Sequence, residues 1–294
     1  MEIINRRKRM MSVARKLRRE ENQSIGFVPT MGALHEGHLS LIHEARALCD
    51  VVVVSVFVNP TQFGPQEDFN AYPRDLTRDS GLLAEYNVDY VFAPTVEEIY
   101  APGSSTYVTV EGLTDKLEGA ARPGHFRGVT TVVAILLNIV RPNFAFFGQK
   151  DAQQSILIKK MVRDLAFDTE IVVLPIVREE SGLALSSRNA YLGQEERRAA
   201  TVLNRALAQA NEAHEAGEHH AGRLIELVRS QIEHESLVRI DYVSINDAET
   251  LEKLDKVDDD RPTLLSLAAF IGKTRLIDNV ILGKPQKNAA SANA

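Results

Sequence analysis

Cysteine is almost missing from this 294-residue chain. A single thiol, Cys49, excludes an intramolecular disulfide framework and suits a reducing compartment. Cys49 closes an apolar helix face, so its expected place is the core rather than a catalytic centre. No apolar run reaches membrane-spanning length. Cations are in deficit: the formal net charge is −6, which argues against a general nucleic-acid surface. No internal repeat occurs. The expectation is a cytoplasmic protein that binds neither membrane nor nucleic acid. The first twenty residues are the exception, with eight Lys and Arg. Glu2, Glu20 and the lack of a cleavage-like stretch oppose a transit peptide there. An amphipathic helix with Met11, Ala14 and Leu17 facing inward is expected instead.

The rest is ordinary globular composition, 44% apolar, in a chain long enough for two domains. One stretch organises it: Gly26-Phe27-Val28-Pro29-Thr30-Met31-Gly32-Ala33-Leu34-His35-Glu36-Gly37-His38. It begins like a buried strand, and Pro29 and Gly32 break the strand. Leu34, Leu41, Ile42, Ala45 and Leu48 then fall on one helix face. Ligands of open parallel sheets sit beyond such strand ends. His35 and His38, three apart in the first helical turn, point the same way. With the helix amino terminus they make a site for phosphate, and Gly32 and Gly37 let a nucleotide approach the backbone. The bland alternative is that the two histidines only cap the helix.

Downstream, 51–58 is a continuous β-branched run, as in a strand covered on both faces. It ends in Asn59-Pro60-Thr61-Gln62-Phe63-Gly64. Asn59 suits a turn before proline, whereas the Gln62 amide can both donate to and accept from a hydroxy acid. A helix is expected over 76–86, a short strand over 88–92 and an edge strand over 107–110. Arg122 to Gly128 concentrates cations in a loop, either a solvated loop or a mobile cover over a phosphate or carboxylate. A buried helix follows over 129–140, then a strand over 143–147. Lys150 and Gln154, four apart, are expected on one face of the next helix start, Lys150 for a phosphate and Gln154 for a neutral polar group. After a strand over 170–177, Ser186-Ser187-Arg188 offers two hydroxyls and a guanidinium fork to phosphate oxygens. Beyond Gln194, charged helices (195–215 and 221–235) precede strands (239–245, 263–270 and 275–282), the pattern of a small α+β domain. Asp258-Asp259-Asp260 reads as a solvated turn.

His-x-Gly-His after a strand resembles the signature of the nucleotidylyltransferase superfamily. Taken together, Pro29 to His38, Asn59 to Gly64, Gly148 to Gln154 and Ser186 to Arg188 resemble the pantothenate synthetase (pantoate–β-alanine ligase) family, over about residues 20–282. That resemblance implies an α/β fold: a Rossmann-like doubly wound parallel sheet with a smaller α+β C-terminal domain. The implied bounds are 1–184 for nucleotide and pantoate, 185–284 for the smaller domain, and 285–294 for a disordered tail. The implied reaction is ATP-dependent condensation of pantoate with β-alanine through a pantoyl adenylate, with Mg²⁺ bridging phosphates, in a homodimer.

The resemblance also implies roles. His35, His38, Lys150, Ser186, Ser187 and Arg188 would be catalytic. ATP would further touch Met31, Gly32, Ala33, Leu34, Glu36, Gly37, Gly148, Gln149, Asp151, Val177 and Leu185. Pantoate would meet Gln62, Gln154, Pro29, Met31, Val132 and Val133, and β-alanine would meet Gln62. No metal ligand and no base for the amine can be named. Gln149 stands where the family usually has Glu, and Leu185 where it has Met. Two rivals stay open: a plain adenylyltransferase acting on a phosphorylated substrate, and a nucleotide-binding sensor without chemistry.

Overall fold

The computed structural model describes residues 1–65 and 67–283. The elements run β1 (Glu2–Ile4), α1 (Arg7–Arg19), β2 (Ile25–Thr30), α2 (Glu36–Leu48), β3 (Val51–Val56), α3 (Leu76–Glu85), β4 (Tyr90–Phe92), α4 (Val96–Ile99), α5 (Leu117–Ala121), α6 (His125–Val140), β5 (Phe144–Gly148), α7 (Ala152–Asp164) and β6 (Glu170–Leu174). Then follow α8 (Gln194–Ala200), α9 (Val202–Glu215), α10 (Ala221–Glu233), β7 (Val238–Asp247), β8 (Thr263–Ile271) and β9 (Thr274–Leu282). Two compact units result: Met1–Gly148 with Gln154–Leu174, and Gln149–Gln153 with the chain from Pro175 onward.

The first unit is a six-stranded sheet in the order β1-β4-β3-β2-β5-β6, parallel at every pairing. The β-branched run forms β3, where Val52, Val53 and Val54 have no exposed surface, as a strand covered on both faces requires. Strand order reverses between β2 and β5, so their carboxyl ends mark the switch point where such sheets bind ligands. The second unit carries an antiparallel sheet, β7-β8-β9. Leu203, Leu207, Leu224 and Val228 of α9 and α10 share its core with Leu265 and Ile271.

Several expectations need correction. The amino-terminal segment opens with a three-residue strand on the sheet edge, and the inward residues of α1 are Met10, Val13, Ala14 and Leu17, with Met11 exposed. Residues 107–110 form no strand. They run beside α6, the Val108 amide donating to Thr131 Oγ1 (3.0 Å) and its carbonyl accepting from Thr130 Oγ1 (2.6 Å). Leu48 is exposed rather than on the buried face of α2. The domain boundary was expected at 184, whereas the contacts divide the chain after Leu174. Arg178 explains why the following loop goes with the second unit. Its guanidinium makes two bonds, 2.7 and 2.9 Å, to the buried carboxylate of Asp278 on β9. The tail 285–294 lies outside the described residues.

Replacing Asp278 by Asn should cost about 2–3 kcal/mol in urea unfolding of the second unit. That is below the roughly 3–5 kcal/mol for breaking a fully buried pair, because the Arg178 side chain keeps 25% exposure and can hydrate in part. An unchanged urea midpoint would show the pair to be neutral.

Candidate active site

The turn from β2 to α2 needs unusual backbone. Gly32 has φ +81° and Ala33 φ +50°, and the two aim successive amides into one small concavity. A buried carboxylate fills it. Asp79 of α3 accepts from the Ala33 amide at 2.9 Å and the Leu34 amide at 3.0 Å, with the Arg78 guanidinium 3.5 Å away. A Cβ on residue 32 would come within 2.9 Å of Asp79 Oδ2. The glycine is therefore required by Asp79 as well as by its own φ, before any ligand is considered.

His35 and His38 do cap α2. His35 Nδ1 accepts from the Gly37 amide (3.2 Å) and His38 Nδ1 accepts from the His35 amide (3.4 Å), a capping box built from two imidazoles with ring centroids 4.1 Å apart. An acceptor Nδ1 places the hydrogen of a neutral ring on Nε2. Capping thus makes each histidine an Nε2–H donor, and the two readings of the motif describe two nitrogens of the same rings. Glu36 is exposed at the first helical position, and Leu34 is buried beneath the turn.

Gln62 ends a 3₁₀ turn, Pro60–Gln62, organised by buried Asn59. Asn59 Oδ1 accepts from the Thr61 hydroxyl (2.9 Å) and the Tyr100 hydroxyl (2.9 Å), while its Nδ2 donates to Gln62 Oε1 (3.1 Å) and the Gly128 carbonyl (3.2 Å). Gln62 Nε2 faces Met31 Sδ at 3.0 Å. The amide is therefore oriented, with one lone pair and one N–H beyond these contacts. A Cβ on Gly128 would sit 2.4 Å from the Thr61 carbonyl oxygen, so a glycine at the start of α6 lets the turn lie against the helix. Val132 and Val133 are buried further along α6, and Pro29 lies on β2.

The cationic loop is not an open phosphate cover. The Arg122 guanidinium grips Glu67 (2.6 and 2.7 Å) and donates from Nη1 to His125 Nε2 (3.0 Å). His125 Nδ1–H in turn donates to the Gln62 carbonyl (2.8 Å). Arg127 stacks on Tyr107 at 3.7 Å. Burial and the neighbouring Arg122 charge lower the His125 pKa from 6.5 to about 4, so the ring is neutral. Burial opposes ionisation of Glu67, but the Arg122 bond and charge prevail and its pKa falls. Burial pushes the Cys49 thiol up to about 11, which agrees with its place in the core.

In the second unit, Gln149–Asp151 is a 3₁₀ turn ahead of α7 rather than the start of that helix. Lys150 lies in that turn, one-fifth exposed, its Nζ 3.7 Å from Asp151 Oδ1, and Gln154 lies in α7. Asn279 of β9 pins this turn, donating from Nδ2 to the Gln149 and Lys150 carbonyls (both 3.0 Å) and accepting from Gln149 Nε2 (3.3 Å). Ser186 caps a second 3₁₀ turn, Ser187–Tyr191, its Oγ accepting from the Arg188 amide (3.3 Å). The Leu185 amide pairs with the Val177 carbonyl (3.0 Å).

A family model described as Pantoate-beta-alanine ligase matches residues 2–281. The chain belongs to the pantoate–β-alanine ligase family. A pantothenate synthetase of Pelotomaculum thermopropionicum is 58% identical over 90% of this chain and 94% of its own. The pantothenate synthetase structure from Thermus thermophilus superposes with a TM-score of 0.90, at 44% identity over 97% of this chain and all of the other. A Francisella tularensis pantoate–β-alanine ligase, solved with β-γ ATP and β-alanine, gives 0.78 at 38% identity, over 96% of this chain and 97% of that one.

What the motifs left unseen in this ligase are the groups that hold them: Asp79, Asn59 as more than a turn former, and Asp278 with Asn279. For Asp79 a signal existed. It lies four residues before buried Leu83, an acid on the inward face of a helix.

His125 sets a pH dependence. Its folded pKa lies below the ordinary 6.5, so the unfolded chain binds the proton more readily. The associated stability is full above about pH 6.5 and is lost as pH falls to about 4, up to about 3 kcal/mol. Urea titrations at pH 7 and 4.5 should show a steeper acid loss for the wild type than for His125→Gln. Parallel losses would mean that His125 is charged in the fold.

Proposed function

We propose that the family's reaction, ATP-dependent joining of pantoate to β-alanine, runs in this chain through a pantoyl adenylate. A pantoate carboxylate oxygen attacks the α-phosphorus, the bond to the β-phosphate breaks and pyrophosphate leaves. The β-alanine amine then attacks the acyl carbon and AMP departs, the amine's proton passing to solvent. Carboxylates resist amines until they carry a better leaving group, and phosphoryl transfer asks for positioning and charge stabilisation more than for a protein nucleophile.

The observation that carries this is the histidine capping box. Two Nε2–H donors at the amino terminus of α2, beyond the carboxyl end of β2, suit phosphate oxygens gaining charge. Met31, Gly32, Ala33, Leu34, Glu36 and Gly37 would supply the surrounding backbone for ATP. Lys150, Ser186, Ser187 and Arg188 are assigned to its phosphates, and Gly148, Gln149, Asp151, Val177 and Leu185 to further nucleotide contacts. Gln62 and Gln154 would hold pantoate by its oxygens, and Pro29, Met31, Val132 and Val133 its apolar carbons. Neutral amides suit a hydroxy acid better than a phosphorylated one, which disfavours the plain adenylyltransferase. Gln62 would also meet β-alanine.

Mg²⁺ is proposed to enter with the nucleotide. Among the described residues, the one group of three or more His, Cys, Asp or Glu ligands close together contains two imidazoles. That set is foreign to an ion that keeps several waters and takes its other oxygens from phosphates. When bound, it would withdraw charge from the phosphates. No described helix is long and apolar enough to cross a membrane, and a cytoplasmic place is proposed. A homodimer is likewise proposed, resting on family likeness alone now that 107–110 is not a strand.

Labelled pyrophosphate should exchange into ATP with pantoate and Mg²⁺ present and β-alanine omitted, and the exchange should vanish without pantoate. Gln62→Ala should raise the pantoate requirement by about 0.5–1.5 kcal/mol of lost hydroxyl contact. Exchange that needs β-alanine would replace the two-step reading by a concerted one.

A further inference from the structure

The connection between α9 and α10 gathers two imidazoles and a carboxylate that ligation does not use. His214, in the last turn of α9, is buried, His219 lies in the connection, and Asp259 lies in the loop between β7 and β8. His214 Nε2 is 3.3 Å and His219 Nδ1 3.6 Å from the same carboxylate oxygen, Asp259 Oδ1. One ligand atom from each residue falls within 4.8 Å of the other two. A tetrahedral zinc ion with bonds of about 2.0–2.1 Å holds its ligand atoms about 3.3–3.4 Å apart. The two nitrogen–oxygen distances are therefore close to what such an ion needs, and the two imidazole nitrogens, within 4.8 Å of each other, would draw together around it.

The His214 tautomer is set from behind. Its Nδ1 faces the Glu218 carbonyl at 3.3 Å and donates its hydrogen there. Nε2 then faces a carboxylate oxygen at 3.3 Å, a contact completed by a cation on that nitrogen, either a proton or a metal ion. An imidazole whose outer nitrogen donates to a backbone carbonyl is also the arrangement that orients metal-binding histidines. The scaffold is tied by main-chain bonds: the Val257 amide to the His219 carbonyl (2.8 Å) and the Ala221 amide to the Asp255 carbonyl (3.0 Å), with a bridge between His220 and Lys256. The Glu218 carboxylate is occupied by the His220 amide and Arg223, so it leaves the set at three.

We propose that His214, His219 and Asp259 form a binding site for a divalent transition-metal ion of the zinc class, with a fourth position for water. Two imidazole nitrogens and one carboxylate oxygen suit Zn²⁺ and Co²⁺ rather than Mg²⁺ or Ca²⁺, which favour all-oxygen sets. The ion would tie the end of α9 to the 257–261 loop and so stabilise the second unit without entering the chemistry.

The test uses tag-free, full-length protein freed of metal by a chelator, titrated calorimetrically with Zn²⁺ alone and by visible absorption with Co²⁺. One equivalent of each should bind, with a tetrahedral Co²⁺ spectrum, and Zn²⁺ should raise the unfolding temperature. His219→Ala and Asp259→Asn alter partly exposed side chains and so should fold. Each should weaken binding at least about ten-fold, abolish the thermal shift and leave ligation rates unchanged, whereas His38→Ala should retain the ion. Equal affinity in the wild type and both variants would overturn the proposal. So would loss of the ion in His38→Ala, which would place it at the His35–His38 pair.

Discussion

Asp79 holds the β2–α2 turn by its carboxylate, and what that turn presents depends on the contact. The chain leaves β2 through two successive residues with positive φ, one of them alanine. Such backbone costs of order 1–3 kcal/mol at a non-glycine residue and persists only when its surroundings over-determine it. Two charge-assisted bonds to Asp79, worth roughly 1.5–3 kcal/mol each, outweigh that strain. Burying a carboxylate is itself unfavourable, and the two amides with Arg78 make it tolerable. The amide–carboxylate bonds offset both costs, and α2 starts where both imidazoles can cap it.

A second polar centre in the first unit works without net charge. Asn59 spends its amide on Thr61, Tyr100, Gln62 and the Gly128 carbonyl, and neutral His125 adds a bond to the Gln62 carbonyl. Charge near Gln62 is cancelled by the Arg122–Glu67 pair. A site for a neutral hydroxyl is best made from oriented dipoles, since an unpaired charge there would attract the wrong ligand. In the second unit, Asp278 and Asn279 hold the Arg178 loop and the Lys150 turn from adjacent positions on one strand, one by charge and one by amide.

The parts readable from sequence were those with local causes. A β-branched run makes a covered strand, and His-x-Gly-His after a strand starts a helix; the expected break at Pro29 does not occur, since Pro29 pairs with Ser55 inside β2 and the strand runs to Thr30. Those signals located β2, α2, β3 and most of the antiparallel sheet. What stayed hidden was long-range: Asp79 is 45 residues from Leu34, and Asn279 is 129 residues from Lys150. Local alternation at 107–110 misled because side chains of α6 satisfy that segment's backbone in place of a sheet. The helix expected from Lys150 onward starts only at Ala152, because a 3₁₀ turn precedes it. Arg122 to Gly128 read as a cover because a sequence shows cations but not the acid, 55 residues away, that engages Arg122.

The central claim is that the Asp79 carboxylate keeps the turn in the shape that fixes both imidazoles. Residue-resolved amide hydrogen exchange on folded Asp79→Asn tests it most directly. Loss of one charge-assisted bond should speed exchange at Ala33 and Leu34 roughly ten- to hundred-fold, and at the capped amides of His35 and Gly37 with them, while β3 stays protected. Unchanged protection at these four amides would contradict the claim and leave the histidine pair to be held by α2 alone.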